Sequence, residues 1–224
     1  MSYRTPRPRG NGAAPGSLLP RAFFDRAAFE VAPELLGQVI EHEAADGTVA
    51  VALTEVEAYA GMLDAASHAY RGPTRRNEVM FGPPGHAYVY FTYGMHFCVN
   101  LVCQAEGTAA AVLVRAGRVI DGEQLARARR AARRSAAPRS DDRDLARGPG
   151  RLCQALAIDA ATGGADVCDP ASPLRARRGE PVPPGVIRRG PRTGVRGAAE
   201  LPWRFWISGD PTVSPYRPHV ARAR

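Results

Sequence analysis

The sequence predicts an α+β fold: a single domain built on a curved antiparallel β-sheet, with flanking helices and a protruding β-hairpin. Three observations point there. The stretch from His86 to Gln104 is rich in aromatic and β-branched residues and broken only at Tyr93-Gly94, the pattern of two antiparallel strands joined by a tight turn. A second pair of apolar runs is separated by Asp46-Gly47, a strong short-range hairpin signal. Segments of helical composition stand at 121–134 and 151–158, without internal repeats. A chain of 224 residues fits one such domain and can bury a substantial core.

The elements follow in order. Residues 1–17 are rich in Arg, Pro and Gly without apolar periodicity, which predicts a disordered basic tail ahead of a domain spanning 18–219. Asp25 is the expected N-cap of a helix carrying Phe29, Val31, Leu35 and Leu36, stopped by Gly37 and kinked or restarted at Pro33. Strands are expected at 38–42 and 48–57. Alternation in the second puts Val49, Val51, Leu53, Glu55 and Glu57 on one face. Carboxylates closing an apolar face mean either that the strand runs out into solvent or that a buried cavity needs an acid.

The segment 61–85 is too long for a simple connector and holds His68, Arg71, Arg75 and Arg76. The hairpin strands are expected at 87–92 and 95–104, with Met95, Phe97, Val99, Leu101 and Cys103 facing the core. His96, Cys98, Asn100, Val102 and Gln104 share the other face. An aromatic at the tip, Tyr93, stands where turns ordinarily take Gly, Asn, Asp or Ser. A strand at 109–114 ending at Arg115, a helix at 121–134, a polar loop to Asp144, and a helix at 151–158 introduced by Gly148-Pro149-Gly150 come next. Leu152, Ala155 and Leu156 of that helix should face inward. Short strands are expected near 186–189 and 203–208.

The formal charge of +8 favours a polyanionic partner such as nucleic acid. All thirty cations are Arg, so no Lys is available for a Schiff base or a P-loop. The Arg runs 127–134 and 175–178 read as phosphate-facing or solvated surface rather than base readers. Cys98, Cys103, Cys153 and Cys168 form no Cys-x-x-Cys pair and no zinc-like cluster with His, so neither a metal nor a cofactor is expected. Reduced thiols, and no apolar run near the ~18 residues of a membrane span, predict a soluble cytoplasmic protein.

Taken singly, Glu57, His68 and the tyrosines all have structural readings. Together, a carboxylate at a strand end, nearby aromatics, a tip tyrosine and a basic chain are the parts needed to extrude and hold a base. Glu57-Ala58-Tyr59, Ser67-His68, Arg76-Asn77, Met80-Phe81, Pro84-Gly85 and the block from Tyr88 to Asn100 strongly resemble the alkyladenine (methylpurine, 3-methyladenine) DNA glycosylase family. The likeness continues through 113–115, 148–157, 202–205 and 213–214, covering nearly the whole chain.

The resemblance implies metal-free hydrolysis of the N-glycosidic bond of damaged purines, flipped out of double-stranded DNA by a monomeric, nucleoid-associated enzyme. It implies alkylated or deaminated purines: 3-methyladenine, 7-methylguanine, hypoxanthine and ethenoadenine. It further implies that Glu57 is the general base and that Arg115 lies beside the attacking water. Tyr59 would stack on one face of the base, with His68 and Tyr90 on the other. Asn100 would reject the exocyclic amine of guanine, and Tyr93 would fill the gap in the duplex. A non-catalytic nucleic-acid binder could use the same aromatics as a stacking platform. It would gain nothing from Glu57. A glycosidase of free nucleosides is disfavoured by the charge and by Tyr93.

Overall fold

The computed structural model describes residues 16–92, 94–132 and 141–220. Eight strands form one open, wholly antiparallel sheet: β1 Val39–Ala44, β2 Gly47–Tyr59, β3 Ala87–Thr92, β4 His96–Cys103, β5 Ala110–Asp121, β6 Leu174–Arg177, β7 Ile187–Gly190 and β8 Arg204–Ile207. The main path runs β3-β4-β5-β2-β1-β6. The 13-residue β2 is the spine. One edge pairs with β5 from Ala50 to Tyr59, and the other is divided between β1 and β8, with β7 beyond β8.

Helices α1 Arg21–Phe24, α2 Ala28–Leu35, α3 Glu123–Ala132 and α4 Pro149–Leu156 complete the fold. Residues of α1, α2, α3 and α4 share one apolar core with Val99, Leu101, Val112, Val114 and Leu174 of the sheet. Leu152, Ala155 and Leu156 of α4 are buried, as their spacing predicts. A second, smaller cluster joins Tyr88, Val102, Ala109 and Ala111 to Ala69 and Met80 of the long 61–85 connection. That connection is therefore a cover for part of the sheet rather than a simple link.

The 86–104 hairpin forms as expected, pairing Thr92 with His96 and Ala87 with Leu101. Gly94 at its tip has φ +66°, a conformation that costs glycine little. Tyr93 lies outside the described residues, as do 1–15 of the expected tail and 133–140 of the Arg-rich segment. Val99, Leu101 and Cys103 enter the core on the predicted face, but Met95 is exposed. Gln104 has left the strand, with φ +64°.

Several expectations need correction. Asp25 ends α1 rather than starting α2, whose N-cap is Ala27 without a side-chain bond. The chain breaks there, and α2 then runs through Pro33 as one helix. β5 does not stop at Arg115 but continues to Asp121. Arg175 and Arg177 lie on an unexpected edge strand, β6, paired with β1. Both bond Glu41, and Arg175 bonds Glu43 as well. Arg127 pairs with Glu123 and Asp142. Arg129 is nearly buried and clamps Asp46 and the Gly47 carbonyl in the β1–β2 turn. These arginines tie elements together.

The largest correction concerns β2. The residues that enter the main core are Val49, Val51 and Leu53, then Val56 and Ala58. The frame shifts by one because the register with β5 slips on either side of Glu55: Leu53 pairs Gly117, Glu55 pairs Ala116, and Val56 pairs Val114. Thr54 is the extra residue on β2 and Arg115 the extra residue on β5, two bulges that compensate each other. Beside them, a Cβ on Gly117 would lie 2.4 Å from the Ala52 carbonyl, so the strands approach this closely only at a glycine. Glu55 and Glu57 consequently leave the apolar face for the opposite one.

Candidate active site

Register assembles the site. Glu57 of β2 pairs with Leu113 of β5, Leu113 with Asn100 of β4, and Asn100 with Tyr88 of β3. Four residues far apart in sequence thus form one row across the sheet, on the face away from the helices. This row is the floor of a cavity of about 1400 Å³. Tyr59, Tyr90, Cys98 and Arg115 line it from the same strands, and His68 lines it from the covering segment. The sequence-predicted residues Glu57, Tyr59, His68, Tyr90, Asn100 and Arg115 therefore meet in one place.

Glu57 is fully buried and held by three donors. The Thr193 backbone N–H donates to Oε1 at 2.7 Å, Arg115 Nη1 approaches the same oxygen at 3.2 Å, and the Tyr59 hydroxyl donates to Oε2 at 2.8 Å. Burial, and next the charge of Glu57, push the Tyr59 phenol well above its ordinary value, so it keeps the proton it donates.

Arg115 is fixed in turn. Its Nε donates to Glu55 Oε1 at 2.7 Å, and Nη2 to Ser214 Oγ at 3.3 Å. Burial works against its charge, but Glu57 and Glu55 outweigh that and hold the guanidinium protonated. Glu55 is the buried counter-charge behind it. It also accepts from Arg204 Nε at 2.7 Å and from the Ser214 N–H at 2.7 Å. Burial alone would raise the Glu55 carboxyl; Arg115 and Arg204 reverse that and leave it below its ordinary value. Two carboxylates and two guanidiniums balance, and removing one would leave a buried charge unpaired at a cost of about 3–5 kcal/mol.

The other wall is aromatic. The His68 ring meets Tyr90 edge-on, with centroids 4.5 Å apart, and its Nδ1 lies 3.1 Å from the Tyr88 hydroxyl. Tyr88 stacks on Tyr90 at 5.5 Å. Burial, reinforced by Arg76, lowers the His68 pKa, so the imidazole is neutral at neutral pH. Asn100 is buried, and its Nδ2 donates to the Tyr88 carbonyl at 3.3 Å. Arg130, Arg151, Arg196 and Arg217 stand around the cavity lining.

Sequence reasoning missed Thr193, Arg204 and Ser214, which reach the carboxylates from 136 to 159 residues away. Arg204 and Ser214 fall inside segments that carry the family likeness, but nothing local in the sequence shows which carboxylate they reach. Among the described residues no group of three His, Cys, Asp or Glu could hold a metal ion, and no described helix is long and apolar enough to cross a membrane.

A buried carboxylate held by donors at the floor of an aromatic slot, beneath a basic rim, is an arrangement able to hold a flat ring and direct a water at it, more than a bare stacking platform needs. Comparison with known proteins is specific. The methylpurine-DNA glycosylase (MPG) family matches residues 22–211, and the chain belongs to it. It is a DNA glycosylase, a hydrolase of N-glycosyl bonds in base excision repair.

Relatives agree over nearly their whole length. A Streptomyces avermitilis protein named "Putative 3-methyladenine DNA glycosylase" is 56% identical over 208 residues, covering 92% of this chain and 95% of its own. Proteins of the same name from Frankia casuarinae and Leifsonia xyli are each 50% identical. They cover 93% and 90% of this chain, and 96% and 93% of their own.

Proposed function

We propose that this enzyme flips 3-methyladenine and related alkylated or deaminated purines out of duplex DNA and hydrolyses the N-glycosidic bond with a water activated by Glu57. The observation that carries the reading is the donor set around Glu57. A carboxylate offers about four lone-pair sites. Thr193 and Arg115 fill those of Oε1, and Tyr59 takes one on Oε2. One acceptor position on Oε2 remains for the water that attacks C1′. Arg115 fixes the carboxylate's orientation, and the anionic group stabilises the oxocarbenium character that develops on the sugar.

The base lies between Tyr59 on one side and His68 with Tyr90 on the other, each ring contributing about 1–3 kcal/mol by stacking. A neutral His68 does not repel a purine made cationic by alkylation. Asn100, in the same cross-strand row as Glu57, meets the edge where guanine carries its exocyclic amine. Tyr93, at the end of the β3–β4 hairpin, fills the gap left in the duplex, and the rim arginines take phosphates. The same reading makes the substrate DNA duplex, the working state monomeric and the location cytoplasmic.

Glu57→Gln keeps the shape of the base but removes its basicity. Single-turnover excision from duplexes carrying hypoxanthine, ethenoadenine or a methylated purine should fall by about 10²-fold or more, with lesion binding retained. Near wild-type excision by this variant would exclude Glu57 as the base.

A further inference from the structure

Behind Tyr59 lies a charge that the excision chemistry does not use. Arg192 is fully buried, its guanidinium carbon 4.6 Å from the centre of the Tyr59 ring and 5.2 Å from that of Trp203. Trp203 stacks in turn on Phe29. Asp64, also fully buried, accepts from both terminal nitrogens of Arg192, and the Ala58 carbonyl accepts from Nη1 at 3.0 Å. The column therefore reads Phe29, Trp203, Arg192, Tyr59. One face of Tyr59 is filled by the guanidinium, its hydroxyl is committed to Glu57, and only the opposite face is left for a ligand.

We propose that Arg192, with Asp64 as its buried counter-ion, is a specificity-determining residue that biases this site toward neutral damaged purines over cationic ones. The inference rests on the reading above that the base stacks on Tyr59. An aromatic face attracts cations through its quadrupole. A ring already polarised by a cation behind it attracts a second one less, and the two like charges repel through the ring at low effective dielectric. Asp64 moderates this field without cancelling it, because the cation and not the carboxylate is the group in contact with the ring. The bias has chemical sense. A cationic N-alkylated purine is already a good leaving group, whereas a neutral lesion such as hypoxanthine needs more from the enzyme.

Arg192 also precedes Thr193, whose N–H holds Glu57, so a purely structural role would change the rate on every lesion alike. The ratio between lesions separates the two roles. Single-turnover excision and binding are compared on matched duplexes carrying hypoxanthine, which is neutral, or 7-methylguanine, which is cationic. Arg192→Gln combined with Asp64→Asn makes the pair neutral and should shift the ratio toward 7-methylguanine by about threefold to tenfold. Asp64→Asn alone leaves the cation uncompensated and should shift it the other way. Equal losses on both lesions, or shifts of one sign in both variants, would overturn the proposal.

If neither variant folds, the wild-type protein still decides. Neutral 9-methyladenine should compete for the site better than the cationic 7,9-dimethyladeninium ion, and the reverse order would sink the idea. Tyr59→Leu distinguishes the two levels of failure. Unchanged lesion binding in that variant would remove the stacking reading itself. Weakened binding with an unmoved lesion ratio in the charge variants would remove only the role of Arg192.

Discussion

His68 faces the cavity as a neutral ring because burial, and then Arg76, hold its pKa below the ordinary 6.5. The sign of the pH effect follows. Between 6.5 and the lower folded value the unfolded chain binds more protons than the folded one, so this contribution to stability is complete above 6.5 and lost as pH falls through the folded value. On the proposed reading, protonation would also put a cation beside the bound base. In the Glu57→Gln background, which removes the neighbouring carboxylate, affinity for a 7-methylguanine duplex should stay flat through pH 6.5 and fall only as the pH drops through the lower folded value of His68. His68→Gln should abolish that fall; an unchanged acid limb would assign it to another group. Asn100 permits a second test at this scale. Asn100→Ser shortens the side chain in the row beside Glu57 and should permit slow excision of undamaged guanine. Equal discrimination by both proteins would move guanine rejection elsewhere.

At the scale of elements, what was legible in the sequence was local. The β3–β4 hairpin carries its own turn signal and alternation, and both were readable within a residue or two. Pairing across the sheet was not. The extension of β5 past Arg115 was invisible because a charged residue reads as a strand end unless its partners, Glu55 and Glu57, are known to be buried beside it. β6 was hidden for the same reason: Arg175 and Arg177 look like a surface cluster until Glu41 and Glu43 of β1 are opposite them. The compensating bulges at Thr54 and Arg115 leave no signature in either strand alone. Six residues that line the cavity were nevertheless named from the sequence, because they could be matched to a family pattern without knowing the path between them. Thr193 lay outside every matched segment, and Ser214 lay inside one without any sign that its partners would be Glu55 and Arg115. The hairpin also sets the prediction proper to this scale. Thr92 pairs with His96 on either side of a short turn, the stretch to which the wedge role is proposed to belong. Tyr93→Ala should weaken binding to a lesion duplex and reduce flipping, with far less effect on excision from an already unpaired site. Normal flipping by 2-aminopurine fluorescence in that variant would remove the wedge role.

At the scale of the whole molecule, charge is carried entirely by arginine. The sequence holds thirty Arg, no Lys and a formal charge of +8. Arginine suits phosphate contacts and buried ion pairs; Glu55 and Asp64 sit in buried pairs with it, and further arginines line the cavity. The same substitution restricts the chemistry. A glycosylase that also cuts the DNA backbone does so through an amine that attacks C1′ and forms a Schiff base. Lysine is the usual source of that amine, and there is none in the sequence. Arginine cannot replace it, because its guanidinium stays protonated at any working pH. Around Glu57 the cavity presents a carboxylate, a guanidinium, a phenol and a backbone N–H, a set suited to directing water and not to forming an imine. The enzyme is therefore expected to release the base by water attack alone and to leave the abasic strand intact. DNA should break only after alkali or an abasic-site nuclease is added, and borohydride present during turnover should trap no protein–DNA adduct. An adduct that still formed after the α-amino group had been blocked would show that a nucleophile of this chain attacks C1′ directly, and the water-based mechanism would have to be abandoned.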